Sequence, residues 1–243
     1  MNRRSKLIVK LFTFMITFMT GLAISLILLA VRTNSIFIAP APAVVEQSRS
    51  SISDDRQEED GYYLRSNATQ YQTELFQVLL NAQRRYDIEQ SSENLLDYAT
   101  AVAKNFIADF FTFSNKDSRS DVGGLQFVAE DVRENFQTYA VDNFYLYLNH
   151  YIEMFGSEVL PEIVDIAVDN VGFEMRYVDA EGGEYLDEPV QTIIVDVTWN
   201  FAQTTLEEID EFQTRARIIL IEMDEGPRVQ VIEELDSEPE IVW

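Results

Sequence analysis

The sequence predicts an α+β fold in which an N-terminal transmembrane helix is followed by helices packed on a curved antiparallel sheet. Three observations predict it. Residues 11–31 carry no charge over 21 consecutive positions. Apolar residues then recur at helical spacing from Thr69 to Phe155. After Pro161 the period changes to two, in runs closed by turn residues. Helices first and strands afterwards is the order of an α+β plan.

The opening segment reads LFTFMITFMTGLAISLILLAV. About 20 apolar residues, rising 1.5 Å each, cross a ~30 Å hydrocarbon core. Arg3, Arg4, Lys6 and Lys10 precede it, and only Arg32 follows closely. A basic flank stays in the cytoplasm, so residues 1–10 are expected inside and everything after the span outside. A cleaved signal peptide is the competing reading. Its apolar region is shorter, and here Pro40 and Pro42 interrupt the candidate cleavage residues Ala39, Ala41 and Ala43. The chain has no cysteine, which removes disulfides, thiol chemistry and lipid attachment through a cysteine.

Charge divides the chain at the same place. It holds 42 Asp and Glu against 18 Lys and Arg, a net −24. Five of the basic residues and none of the acidic ones fall in the first 32 positions. The remainder therefore carries 13 basic against 42 acidic side chains, a net −29. Such a surface is unsuited to nucleic acid, whose affinity rests on phosphate neutralisation. It is equally unsuited to an anionic lipid face. Solubility is the plain reading of the charge, and a basic protein partner or a salty exterior are the sharper ones.

Residues 32–60 read as a flexible linker rich in Pro, Ser and charge, too poor in apolar side chains to form a core. An extracytoplasmic domain over 61–243 follows. Tyr71, Leu75, Val78, Leu79 and Tyr86 mark a helix from Thr69 to about Gln90. Ser92 is the expected N-cap of a second, longer helix. Its stripe of Leu95, Ala99, Val102, Phe106, Phe110 and Phe113 is flanked by Leu96, Ala103, Ile107 and Phe111, a face wide enough for a core helix. Ser114 to Gly124 is a turn-rich loop. Two further helices are expected at 127–139 and 142–155, the second ending at Gly156. Strands are expected at 163–179, 190–202, 212–224 and 227–235, with a bulge near Asn170-Val171-Gly172 and a tight turn at Asp224-Glu225-Gly226-Pro227. Phe106, Phe110, Trp199, Phe201 and Ile219 are the expected core.

Candidate chemistry is thin. His150 is the one histidine, expected as a half-buried structural imidazole between Tyr147 and Tyr151. With one histidine and no cysteine, a zinc site lacks its usual ligands. No Gly-x-Ser-x-Gly elbow accompanies the histidine. Asp117 to Asp121 lacks the ligand pattern of a calcium loop, and the acids from Asp179 to Glu188 are expected to form a solvated hairpin. An acid–base pocket would need Asp109 or Asp97 as base with Tyr98 or Tyr145 as donor. Both aspartates are more simply placed on the polar side of their helix. No catalytic residue, cofactor site or metal site is assigned.

A short tail, one membrane helix, a linker, a long aromatic helix and a closing antiparallel sheet together resemble the bitopic scaffold subunits of type IV secretion and conjugation systems, the VirB-eight and TcpC family. The likeness is carried by Asn105-Phe106-Ile107-Ala108-Asp109-Phe110-Phe111-Thr112 and by the strands around Val195-Asp196-Val197-Thr198-Trp199 and Ala216-Arg217-Ile218-Ile219-Leu220, and covers roughly residues 90–235. The resemblance implies the cone-shaped fold named after nuclear transport factor two. It also implies assembly and partner-holding rather than catalysis. The expected function is thus a single-pass scaffold or interaction module outside the cell membrane, contacting the membrane and other envelope proteins, with self-association open. The alternative is a tethered small-molecule binder or isomerase-like enzyme that uses the cavity of the cone.

Overall fold

The computed structural model describes residues 57–59, 61–177, 188–206, 209 and 212–235. The chain divides into units 1–52 and 53–243, and the described residues all belong to the second. The span 11–31, the tail before it and the linker to residue 56 lie outside the described residues. Among the described residues no helix is long and apolar enough to cross a membrane.

The order is α+β as expected. A short hairpin, β1 (Gln57–Glu59) with β2 (Tyr62–Leu64), comes first. Residues 57–59, which composition placed in the linker, are thus paired strand. Gly61 turns the hairpin at φ +81°, a left-handed conformation that suits glycine. The hairpin is not a loose end. Tyr62 is buried, and Tyr63 exchanges main-chain hydrogen bonds with the Gln126 amide at 2.8 and 2.9 Å.

Helix α1 (Gln70–Ile88) starts on a capping box. The Thr69 hydroxyl accepts from the Gln72 amide, and the Gln72 side chain accepts from the Thr69 amide. Leu75, Phe76, Leu79 and Leu80 face inward. Val78, counted with that face on spacing, is 53% exposed. Helix α2 (Ser92–Phe111) is capped by Ser91 rather than Ser92, with its hydroxyl accepting from the Asn94 amide at 3.2 Å. Thirteen of its 20 residues are buried, as two adjacent apolar stripes demand. Two short helices follow, α3 (Glu130–Tyr139) and α4 (Leu148–Phe155), joined by a π-helical turn at Ala140–Phe144. The expected helix start at residue 127 is a 3-10 turn over Leu125–Phe127, and α3 begins later.

Strands β3 (Ile163–Arg176), β4 (Val190–Phe201), β5 (Arg215–Met223) and β6 (Gly226–Glu234) form one antiparallel meander in the order β3-β4-β5-β6. Each lies within three residues of its expected bounds. β5 and β6 meet through Asp224-Glu225, with Met223 opposite Gly226. β3 shifts register twice, between Ile163 and Asp165 and between Val168 and Asn170. The second shift lies beside the expected bulge. The first was hidden by the alternation after Pro161, and it puts Ile163 and Ile166 inward and leaves Val164 44% exposed.

Helix α2 packs across β3, β4 and β6. Its first half abuts the start of β6, where a Cβ on Gly226 would stand 2.6 Å from the Tyr98 ring. Its end abuts the start of β3, where the Ile163 amide donates to the Thr112 hydroxyl at 3.3 Å. A flat four-stranded sheet spaced at ~4.8 Å would hold its edges ~14 Å apart. Arg176 of β3 nevertheless meets Glu233 of β6 at 2.7 Å. These two lie at diagonally opposite corners, so the twist folds that diagonal away from α2 and the other over it. Arg217 and Asp196, 2.6 Å apart, sit on the same outer face.

Phe106, Phe110, Trp199 and Ile219 are buried, as expected. Phe201 is not. It ends β4 and is half-buried against Phe212, ring centroids 6.2 Å apart.

Candidate interaction surface

The residues weighed for an acid–base pocket are not brought together as one. Asp97 is on the surface, 3.1 Å from Arg85. Tyr98 is buried, and its hydroxyl lies 2.9 Å from that of Tyr62. The Tyr62 oxygen in turn accepts from Arg228 at 2.7 Å, and the guanidinium stands 5.2 Å from the Tyr62 ring centroid. Burial pushes the Tyr98 hydroxyl above its ordinary value, helped by Tyr62.

Asp109, expected on the polar side of α2, is buried. The reason is tertiary. Arg65 arrives just after β2 with Nε 3.1 Å from Asp109 Oδ1, and Lys116 arrives from the following loop with Nζ 3.2 Å from the same oxygen. The Gly124 amide donates to Oδ2 at 2.7 Å. Burial alone would raise this carboxyl, but Lys116, Arg65 and the Gly124 amide together hold it below its ordinary range. A carboxylate held so firmly in its charged form is a poor proton acceptor.

Lys116 is fully buried, and its ammonium also donates to Asp109 O at 2.7 Å and Asn115 Oδ1 at 2.9 Å. Asp121 clamps Arg65 at 2.6 Å and accepts from the Asp117 amide at 3.1 Å. Asp121 therefore binds the chain to itself. Gly123 fits because nothing larger does, since a Cβ there would stand 2.1 Å from the Asp109 carbonyl oxygen.

Tyr145 completes the interior. Its hydroxyl donates to Phe110 O at 2.5 Å and accepts from the Gly123 amide at 3.4 Å. Burial drives it well above its ordinary pKa, with Asp109 adding to the effect. Asp109 and Tyr145 thus sit on consecutive amides, each committed to the main chain and to side chains of the fold. The space beside Asp109 is about 20 Å³, room for about one water molecule. Among the described residues no group of three His, Asp or Glu could hold a metal ion. The acids from Asp179 to Asp187 lie outside the described residues.

The outside offers more. Alternation of in and out breaks at the π-helical turn, whose extra residue per turn rotates the next side chains. Tyr145 and Leu148 go inward, while Phe144, Tyr147 and Phe155 go outward, at 37%, 66% and 43% exposure. Tyr139 stacks edge-on to Phe144 at 6.0 Å. Phe144 and Tyr147 line a recess of about 200 Å³ with Tyr151 and Phe212. Tyr151 lies on Phe155 at 6.0 Å. The result is a continuous aromatic row from Tyr139 to Phe155. Phe144 also borders a second groove, about 500 Å³, between α3 and β6. His150 is exposed rather than half-buried, on the solvent side of α4 beside Tyr151.

A third groove, about 810 Å³, opens at the β5–β6 turn and is rimmed by Asp87, Glu222, Asp224 and Glu225. Tyr86 hydrogen-bonds Glu222 there, which pushes its hydroxyl up to about 12.

The aromatic row was visible as an excess. Phe144, Tyr145, Tyr147, Leu148, Tyr151, Ile152 and Phe155 are more apolar side chains than one face of the expected helix over 142–155 can bury. The buried ions were not visible. Nothing in the sequence around Arg65, Lys116 or Arg228 distinguishes them from surface bases. The chain matches no protein-family model, no curated protein and no solved structure.

Proposed function

We propose that this protein is an interaction module held outside the cell membrane by residues 11–31, a scaffold of an envelope assembly such as a secretion or conjugation apparatus. The observation that carries this reading is the exposed aromatic row of Tyr139, Phe144, Tyr147 and Phe155. Side chains of this size are enriched where proteins meet, because they remove much apolar area from water at small entropic cost. Rows of this kind on a soluble face mark contact sites. The interior supports the same reading. Asp109, Tyr98 and Tyr145 are each engaged by the fold, and the space beside Asp109 is too small for a substrate. The charge of the whole chain supports a protein partner over nucleic acid. The helix-before-sheet order is consistent with the cone-shaped plan of the scaffold family it resembles.

Two experiments test this. Protease added to spheroplasts is expected to remove the domain after residue 57 and leave the tail protected. A protected domain would reverse the topology. A photo-crosslinking amino acid in place of Tyr147 in the full chain is expected to yield discrete protein adducts in cells. The same residue in place of Val78, exposed on α1, is expected to yield none. Equal adducts from both positions, or saturable binding of a small molecule beside Asp109, would overturn the scaffold reading.

A further inference from the structure

The order β3-β4-β5-β6 makes β3 an edge strand, and the helices engage its first part. The Ile166 amide donates to the Tyr71 hydroxyl at 2.8 Å, and Ile166 O accepts from Lys104 at 2.9 Å. Past the register shift between Val168 and Asn170, the strand runs on to Arg176. Main-chain direction there follows from β4. The Trp199 amide donates to Thr214 O at 2.8 Å, toward β5. Direction alternates along a strand, so Ile194, Thr192 and Val190 point the other way, to β3. Their partners Gly172, Glu174 and Arg176 are the ones bonded to β4. Phe173 and Met175 therefore aim their amides and carbonyls out at the edge. Among the described residues nothing bonds to them there.

Natural edges are blunted by lysine, proline, bulges or brevity. β3 has 14 residues, no lysine and no proline, and its register shifts lie before Val171. Side chains alternate as well. Phe173 faces Leu95 of α2 across a recess of about 250 Å³. Phe173, Met175 and Tyr177 share that side, at 39%, 61% and 60% exposure. The outer side carries Glu174 and Arg176, 2.9 Å apart. Arg176 also meets Glu233, and Arg217 meets Asp196. Three acids thus stand with two bases, and this corner of a strongly acidic chain is nearly neutral. It offers little to select a basic partner and little to repel a second copy.

We propose that the outer part of β3 pairs with the same stretch of a second copy, antiparallel about a two-fold axis at Met175, joining the two sheets into one. The sequence selects that register. Centred on Met175, the pairing sets Phe173 opposite Tyr177 of the copy and Glu174 opposite Arg176. Centring on Glu174 or on Arg176 would set like charges opposite each other. Centring on Phe173 would leave Glu174 opposite Gly172 and Arg176 opposite Asn170. Because Met175 aims its main chain outward, the axis makes it a hydrogen-bonded pair with its own copy. Such an isologous contact closes with two copies. The inference goes beyond the interaction-module reading and uses a different surface from the aromatic row.

The chain has no cysteine, so introduced ones report the register. The test uses the full chain in detergent with a mild oxidant. A hydrogen-bonded antiparallel pair holds its Cα atoms ~5.5 Å apart, within the ~4.4–6.8 Å of a disulfide. Met175→Cys is expected to form a covalent dimer. Val164→Cys, exposed on the same strand, is expected to form none, because the two positions would stand more than about 60 Å apart. Phe173→Cys and Tyr177→Cys chains are expected to cross-link when mixed, and neither when alone. Met175→Lys would set two ammonium groups together at the axis. Added to both chains of the mixed pair, it is expected to cut the yield about tenfold, with the thermal midpoint of the dilute chain unchanged. Amide exchange at Phe173 and Met175 is expected to slow as protein concentration rises.

No dimer from Met175→Cys, an equal dimer from Val164→Cys, or an equal yield from Phe173→Cys alone would each overturn the inference. So would a mixed yield unmoved by Met175→Lys. Slow exchange at every concentration means that the chain's own residues occupy the edge, and overturns it too. The two readings fail separately. Absence of the cysteine dimers with Tyr147 adducts intact would remove the pairing and keep the interaction module.

Discussion

Asp109→Ala is expected to destabilise the domain by about 3–5 kcal/mol, the cost of leaving a buried charge without its partner. The stranded charge is Lys116. It would keep hydrogen bonds to Asp109 O and Asn115 Oδ1, but these are neutral groups. Arg65 would still hold Asp121. Lys116→Met is expected to cost less, because Asp109 retains Arg65 at 3.1 Å and the Gly124 amide at 2.7 Å. The double variant is expected to be more stable than Asp109→Ala alone, since it removes both the carboxylate and the charge that needs it. Urea unfolding of the four chains measures this as a double-mutant cycle. Additive costs would mean that the two groups do not depend on each other.

Acid is the second arm of the same experiment. Burial opposes ionisation of Asp109 and Asp121, yet Lys116 and Arg65 hold the first, and chiefly Arg65 the second, below the ordinary 3.8. A carboxyl lowered in the folded state stabilises it fully above the unfolded pKa. That contribution is lost as pH falls through the folded value. Stability is therefore expected to hold down to about pH 4 and to drop in stronger acid. Asp109→Ala is expected to show a shallower drop over that range. A drop of the same depth in both chains would place the acid sensitivity elsewhere.

This cluster also marks what sequence reasoning reaches. The order of elements is legible because periodicity and caps are local. Thr69 and Gln72 form their box within one turn, and the two stripes on α2 follow from residue spacing alone. The strand starts at Ile163 and Val190 follow from alternation and turn residues. Whether a polar residue points in or out is another matter. Asp109 is buried because Arg65 and Lys116, 44 residues before it and 7 after, converge on it. No window on α2 contains Arg65. The same limit explains Val78, which has the right spacing but no element packed over it, and Phe201, where β4 runs past the core. His150 was misplaced because the π-helical turn changes the phase of α4, and no residue type signals such a turn.

The second large effect is expected at Phe106. Phe106→Ala is expected to cost about 3–5 kcal/mol, the range for removing a fully buried aromatic ring. The ring has no exposure. It stacks on Phe110 at 5.6 Å and meets Phe136 edge-on at 5.8 Å. Gly124 lies against it so closely that a Cβ there would stand 2.8 Å from the ring edge. Gly124 also sits at φ +76° and donates its amide to Asp109, so the loop is pinned and cannot move in to fill the space. A site that cannot collapse keeps its cavity, which puts the cost toward the upper part of the range. Phe106→Leu retains most of the volume and is expected to cost about 1–1.5 kcal/mol. Val78→Ala, on an exposed position of α1, is expected to stay within about 0.5 kcal/mol of the parent. Urea midpoints with an unchanged slope measure all three. A Phe106→Ala cost below about 1 kcal/mol would mean that the ring is not packed as α2, α3 and the Gly124 loop require.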